Sequence, residues 1–119
     1  MPRYCFTLQV RPDRLDEYVE RHRAVWPEML RALAAAGWRD YTLHLRADGL
    51  LVGIVTADDL AAAQDAMTSR PVNERWQAEM APYFQDLDDV SPDLGLRVLP
   101  KIFDLEGQLA AVDRAGARA

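Results

Sequence analysis

The feature that most restricts the fold of this chain lies near its middle, where two strand-like segments flank an Asp-Gly turn. Residues 38–45 alternate between large apolar or aromatic side chains and polar ones, which predicts a half-buried strand. Residues 50–56 are apolar almost throughout and predict a third strand of the chain. Asp48 and Gly49 lie between them and are a strong hairpin signal, because glycine adopts the positive backbone angles of tight turns. We therefore expect an antiparallel hairpin here.

A strand and a long helical pattern precede the hairpin. Residues 4–10 alternate and predict the first strand. From about residue 13 to residue 36, side chains recur at spacings of three and four and form one helical stripe, which contains Leu15, Tyr18, His22, Val25, Trp26 and Met29. Pro27 lies inside this pattern, so we expect it to kink the helix or to split it in two near Trp26.

Two further helices are predicted after the hairpin. Asp58 or Asp59 is expected to cap a helix that continues to about Met67, because an aspartate side chain accepts hydrogen bonds from free N–H groups of the first turn. Pro71 is expected to begin the next helix, over residues 72–84, since its missing N–H has no partner in a first turn anyway.

The end of the chain supplies the last strand. Residues 96–105 contain it, and Pro100 places it at a sheet edge or a bulge because proline lacks the N–H donor. The resulting order β-α-β-β-α-β predicts an α+β ferredoxin-like subunit, which we assign to residues 1–105 as a single domain. Residues 106–119 form a C-terminal extension that is expected to fray. Helices would cover one sheet face, and the open apolar face favours a homodimer.

Charge and cysteine content narrow the function. The net charge of −5 argues against a general nucleic-acid partner, which needs a basic surface. No apolar stretch approaches the ~20 residues that span a bilayer, and residues 1–9 lack the apolar core of a secretory signal, so we expect a cytoplasmic protein without a membrane partner. The single cysteine, Cys5, can form no internal disulfide and is interpreted as a small strand residue.

Two histidines are the candidates for acid–base chemistry, and His22 has the more unusual setting. It lies within the apolar stripe, one turn after Tyr18 and one turn before Trp26, so these three rings are expected to share a face, with Trp26 as a possible pocket residue. His22 is either a core residue packed between aromatic rings or a proton-transfer group in an aromatic pocket, since imidazole titrates near neutrality. His22 and His44 lie on different elements without metal-ligand spacing, so no metal is expected.

Tyr41 and Trp76 add aromatic groups of the kind that bind sugars. An aromatic ring can lie on the C–H face of a sugar while a Tyr O–H or Trp N–H donates to its hydroxyls. Core packing is the alternative for each of these two residues.

Together these residues form a pattern that resembles the L-rhamnose mutarotases. The stretches that carry it are QVRPDRLDEYVERHRAVWPEM, GWRDYTLHL and NERWQAEMAPYF. The Tyr-x-x-x-His-x-x-x-Trp-Pro block in the first stretch is the most specific part. The resemblance covers roughly residues 3–103, and the chain beyond about Leu105 departs from the family.

The resemblance implies a dimeric α+β barrel of ferredoxin-like subunits that interconverts the α and β anomers of a 6-deoxysugar, with L-rhamnose the first expectation and L-fucose the second. It implies that His22 is the proton donor and that Tyr18 and Tyr41 contact the sugar. A Trp-Trp pair of the family falls on Trp76 and Gln77, so this chain lacks the second Trp.

Mutarotation needs a proton to leave the C1 hydroxyl and another to reach the ring oxygen, and His22 can supply the second. The complementary base stays open between Tyr18, Tyr41, an acidic side chain and water. No metal or redox cofactor is required. Two other classes remain: a cofactor-free or haem-using oxygenase on the same kind of barrel, and a non-enzymatic sugar-binding module.

Overall fold

A computed structural model of the chain describes residues 2–117. Its strands and helices follow in the order β1 (Arg3–Val10), α1 (Leu15–His22), α2 (Pro27–Ala35), β2 (Arg39–Leu45), β3 (Leu50–Thr56), α3 (Leu60–Thr68), α4 (Pro71–Met80), β4 (Phe84–Gln85), β5 (Arg97–Leu99) and α5 (Leu105–Ala117). Short 3-10 turns at Pro12–Arg14 and Ala81–Tyr83 precede α1 and follow α4. The predicted β-α-β-β-α-β order is confirmed.

The five strands form one antiparallel sheet in which β1 is central. Its order is β2-β3-β1-β4, and β5 also pairs with β1, on the edge that β4 uses. β4 lies opposite Gln9 and Val10, whereas β5 lies opposite residues 5–7 of the same strand. Two short strands, β4 and β5, therefore occupy the position of the fourth strand of a ferredoxin-like sheet.

The fourth strand is where the prediction and the structure differ. The helix predicted over residues 72–84 ends at Met80, because Pro82 lies in the 3-10 turn that follows, and Phe84 is a strand residue. The chain then leaves the sheet: Asp86 and Asp89 adopt left-handed backbone angles, with φ of 63° and 64°. Only residues 97–99 of the predicted strand at 96–105 pair with β1, and this pairing ends before Pro100.

Pro27 splits the first helical segment in two, as the sequence predicts. α1 ends at His22, and α2 begins with Pro27 at its first position. Trp26, directly before it, is extended, with φ −52° and ψ 131°. The ring of a proline disfavours a helical conformation in the residue before it, which explains the break.

The core lies between the helices and one face of the sheet. From β1 it contains Phe6, Leu8 and Val10, and from β3 it contains Leu51 and Val55. Burial of each such side chain contributes roughly 1.5–3 kcal/mol to folding. The opposite face of β3 presents Leu50, Val52, Ile54 and Thr56, which are only half-buried.

The C-terminal segment leaves the body of the subunit. Where a frayed end is predicted, the structure has the helix α5, and every side chain at positions 101–116 is exposed. Leu105, Leu109 and Val112 recur on one face of this helix and are 46–65% exposed. None of the helices within residues 2–117 combines the length and the apolarity that a membrane crossing requires.

Candidate active site

A cavity of about 340 Å³ lies between the helices and the inner face of the sheet, and it contains most of the predicted site residues. Its walls come from α1, α2, α4, the inner faces of β1 to β3, and the loop between β4 and β5. The predicted site residues that line it are Tyr18, His22, Tyr41, Trp76 and Gln77. The volume lies at the lower end of the range for small-molecule sites.

His22 is the last residue of α1, and the helix places its ring one turn after Tyr18. A main-chain carbonyl oxygen has two lone pairs, so the Tyr18 carbonyl can accept a side-chain hydrogen bond in addition to its bond within the helix. His22 Nδ1 lies 2.8 Å from the main-chain carbonyl oxygen of Tyr18. A carbonyl only accepts hydrogen bonds, so Nδ1 carries a proton and donates it. In the neutral ring, Nε2 then has the free lone pair.

Aromatic rings enclose His22 on two sides. The Tyr18 ring lies along it at a centroid distance of 4.2 Å, and the Trp76 ring approaches edge-on at 5.5 Å. This burial lowers the pKa of His22 because it disfavours the charged imidazolium, and the hydrogen bond to the Tyr18 carbonyl opposes the shift. At a given pH, the folded protein therefore favours the neutral imidazole over the imidazolium more strongly than water does.

The two tyrosines of the cavity stay protonated at neutral pH. Burial raises the pKa of Tyr18 well above its ordinary value, and the neighbouring Tyr41 adds to the shift. Burial also raises the pKa of Tyr41 far above its ordinary range, and the negative charge of Asp93 adds to this effect. Both phenols are therefore hydrogen-bonding groups and not proton acceptors.

Several polar atoms of the cavity are free for a ligand. Tyr18, Tyr41 and Trp76 make no side-chain hydrogen bond within residues 2–117, and in this part of the chain no fully buried side-chain polar atom lacks a partner. Each of their O–H and N–H groups is therefore at least partly exposed.

Trp26 does not line this cavity, in contrast to its prediction as a possible pocket residue. It packs edge-on against Trp76 at 5.0 Å and lines a shallow groove on the other side of that ring. The prediction assumed a continuous helix from His22 to Trp26, and the extended backbone before Pro27 breaks that helix. His44 lies on the other face of the sheet, where it is exposed and contacts Thr42.

A polar network that the sequence analysis did not identify forms one wall of the cavity. Asn73 Nδ2 donates to Asp93 Oδ2 at 2.9 Å, and Ser91 Oγ donates to Asp93 Oδ1. Gln77 Nε2 donates to Asn73 Oδ1 at 3.1 Å, and Gln64 Nε2 donates to the main-chain carbonyl of Asp93 at 2.9 Å. Asn73 is buried, and Asp93 lines the cavity beside it.

The sequence carries only a weak signal for these residues. Asp93 is one of several aspartates in the acidic loop after β4, and the residue pattern does not distinguish it from Asp86, Asp88 or Asp89. Asn73 could have been noticed as a polar residue next to the apolar Val72 on a helix with a buried face.

The site therefore combines an imidazole, two protonated phenols, an indole and a carboxylate around one small cavity. Such a set can transfer a proton and hydrogen-bond a polyhydroxylated ligand. Across residues 2–117, no three His, Cys, Asp or Glu side chains come together as metal ligands.

Comparison with known proteins connects this chain to one family. The model of the L-rhamnose mutarotase family matches residues 3–105. The L-rhamnose mutarotase of Jannaschia sp. (strain CCS1) is 38% identical over 103 residues, which are 84% of this chain and 92% of the relative. That of Sinorhizobium fredii (strain NBRC 101917 / NGR234) is 36% identical over 93 residues, which are 77% of this chain and 88% of the relative.

Solved structures share the fold. The crystal structure of an L-rhamnose mutarotase from Formosa agariphila superposes with a TM-score of 0.69 at 23% identity, covering 88% of this chain and 99% of that one. The protein Rv0793 from Mycobacterium tuberculosis superposes with a TM-score of 0.52 at 17% identity, covering 87% and 96%.

Proposed function

Since this chain belongs to the L-rhamnose mutarotase family, whose members are isomerases, we propose that it interconverts the α and β anomers of L-rhamnose. The observation that carries the proposal is the setting of His22. Its Nδ1 is held by the Tyr18 carbonyl, which leaves Nε2 for proton transfer in a cavity lined by phenol and indole groups. The role of His22 as proton donor is part of this proposal.

The chemistry requires one proton to be moved between two oxygens of the sugar. The imidazolium form of His22 donates a proton to the ring oxygen, and the bond between C1 and that oxygen breaks. The bonding electron pair stays on the ring oxygen, while the C1 hydroxyl loses its proton to a base and becomes a carbonyl. Closure on the other face of C1 runs the same transfers in reverse. A positioned acid of this kind typically contributes about 10²–10⁴ in rate.

The remaining cavity residues support binding of a neutral sugar. Tyr18 and Tyr41 keep their phenol protons, so each can donate to a sugar hydroxyl or accept from one. Trp76 supplies an indole N–H and an apolar ring surface. Gln77, in place of the second Trp that the resemblance implies, supplies a carboxamide held by Asn73.

We also propose that the protein acts as a homodimer in the cytoplasm. The half-buried apolar side chains on the outer face of β3, Val52 and Ile54 among them, support a second subunit on that face. The exposed apolar face of α5 adds further surface of the same character.

The test is NMR saturation transfer between the anomeric protons of L-rhamnose, with L-fucose measured alongside. We expect the protein to accelerate exchange of L-rhamnose, and His22→Asn to reduce the acceleration about 10²–10⁴-fold. His44→Asn, on the opposite sheet face beside Val52, is the matched control and should keep full activity when measured as the dimer.

Two results would count against the proposal. Exchange rates equal to those of the buffer for every sugar would reject mutarotase activity. Full activity of a folded His22→Asn variant would remove His22 from the mechanism and leave the family assignment intact.

A further inference from the structure

The base that completes the reaction can be identified from the lining of the cavity. Removal of the proton of the C1 hydroxyl needs a group that is unprotonated and reachable at neutral pH. Among the cavity-lining residues within 2–117, four side chains titrate: Tyr18, His22, Tyr41 and Asp93. His22 is assigned the transfer to the ring oxygen, so the candidates for the base are the other three side chains and a water molecule.

The two tyrosines are unsuitable as bases. Burial keeps both phenols protonated far beyond neutral pH. Asp93 is the one carboxylate in the lining that the structure describes. Carboxylates are ordinarily ionised at neutral pH and accept protons in general acid–base catalysis.

Asp93 is also held in a defined orientation. Asn73 Nδ2 donates to Oδ2 and Ser91 Oγ donates to Oδ1, so each carboxylate oxygen accepts one hydrogen bond. Each such oxygen has room for a second hydrogen bond, and a sugar hydroxyl can supply it. Gln64 holds the main chain of Asp93 from α3, while Asn73 holds its side chain from α4. Two helices thus position a residue that lies on a loop.

We propose that Asp93 is the catalytic base that takes the proton of the C1 hydroxyl. As the O–H bond breaks, its electron pair forms the C1 carbonyl, and the bond from C1 to the ring oxygen breaks with its pair moving to that oxygen. The imidazolium form of His22 gives its Nε2 proton to the ring oxygen in the same step. After rotation about C1–C2, the new hydroxyl attacks the other face of the carbonyl carbon and returns its proton to His22 Nε2. Protonated Asp93 gives its own proton to the carbonyl oxygen as the ring closes. No proton is gained or lost, and both side chains return to their starting forms.

This inference rests on the proposed function, and the first experiment tests the mutarotase activity and the role of Asp93 separately. Exchange of L-rhamnose anomers is measured by saturation transfer for the unmodified chain, Asp93→Asn and Asp89→Asn. Asparagine keeps the shape and the acceptor for Asn73 but cannot take up the proton. We expect Asp93→Asn to lose about 10²–10⁴ in rate. Asp89→Asn makes the same change on the same loop, outside the lining of the His22 cavity, and should keep full activity.

The second experiment distinguishes a base from a structural residue. In Asp93→Ala the carboxylate is removed, and added formate can enter the space and accept the proton instead. We expect formate to raise the exchange rate of Asp93→Ala at least tenfold and to leave that of His22→Asn unchanged. If Asp93 only holds the loop in place, added formate should leave the exchange rate of Asp93→Ala unchanged.

Each outcome has one meaning. Loss of activity in folded Asp93→Asn, together with rescue of Asp93→Ala by formate, supports the base. Activity within threefold of the unmodified chain in Asp93→Asn, or a lack of rescue, overturns the role of Asp93 and leaves the proposed function in place. A lack of exchange by the unmodified chain overturns both.

Discussion

His22 Nδ1 donates a hydrogen bond to the main-chain carbonyl of Tyr18, 2.8 Å away and one turn earlier on α1. This contact selects the tautomer of the imidazole, so Nε2 is the nitrogen that is available to a ligand. The burial of the same ring makes the stability of the fold depend on pH.

Acid should destabilise the fold through His22. Burial lowers its pKa below the ordinary value of 6.5, so below that pH the unfolded chain binds a proton that the folded chain resists. The stabilising contribution is present above about pH 6.5 and is lost as the pH falls through the lowered pKa of the folded state. Tyr18 and Trp76 pack against the ring, Tyr41 lines the same cavity, and Asp93 is the charged group in that cavity.

The measurement is the thermal midpoint of the unmodified chain and of His22→Gln between pH 7.5 and pH 5. The unmodified chain should lose more stability than the variant as the pH falls. A larger loss of stability in the variant than in the unmodified chain would mean that Asp93 stabilises the imidazolium more than burial disfavours it.

Asn73 should act by positioning Asp93. Asn73→Ala removes the donor to the carboxylate and the acceptor for Gln77, and it leaves polar groups without partners in a buried setting. We expect a loss of about 1–3 kcal/mol in unfolding free energy. A displaced catalytic group can cost about 10²-fold in rate, so kcat should fall far more than KM rises. Gln64→Ala, which removes only the bond to the main-chain carbonyl of Asp93, should have a smaller effect. Equal kinetic effects of the two variants would contradict the positioning role.

The outer face of β3 should carry the subunit contact. Val52→Asp introduces a charge among half-buried apolar side chains, and burial of an unpaired charge in an interface is unfavourable. Light scattering should find a dimer for the unmodified chain at micromolar concentration and a monomer for the variant. Ala61→Asp, at an exposed position of α3, is the control and should remain dimeric. A monomeric unmodified chain would remove the basis of this prediction.

Gly53 is required by the packing of the central strands. It lies opposite Phe6 in the β1–β3 register, and a Cβ atom at Gly53 would collide with the Phe6 ring. Phe6 is fully buried, so its ring cannot turn out into solvent to make room for the added Cβ. Gly53→Ala should cost about 1–3 kcal/mol in denaturant unfolding, as overpacked cores do. Gly116→Ala, where an added Cβ meets nothing within 4 Å, should leave the unfolding midpoint unchanged. Equal stability of the two variants would show that the Phe6 ring can shift.

Local sequence determined those features that depend on residues close together in the chain. The Asp-Gly pair determined the hairpin between β2 and β3, and Pro27 determined the division between α1 and α2. The four-residue spacing of Tyr18 and His22 determined that their rings meet, because one helical turn joins them. Each of these outcomes follows from backbone geometry over a few residues, so each could be predicted before the fold was known.

The tertiary structure decided the rest. Trp26 lies outside the cavity because its neighbour Pro27 breaks the helix. The direction that the chain takes after the break depends on tertiary packing. Asp93 reaches Asn73, twenty positions earlier in the chain, only because the loop after β4 returns across α4. The sequence holds several equivalent aspartates in that loop, and a hydrogen bond between distant residues depends on the path of the whole chain between them. Proximity along a helix is a property of the sequence, whereas proximity across the cavity is a property of the packed fold.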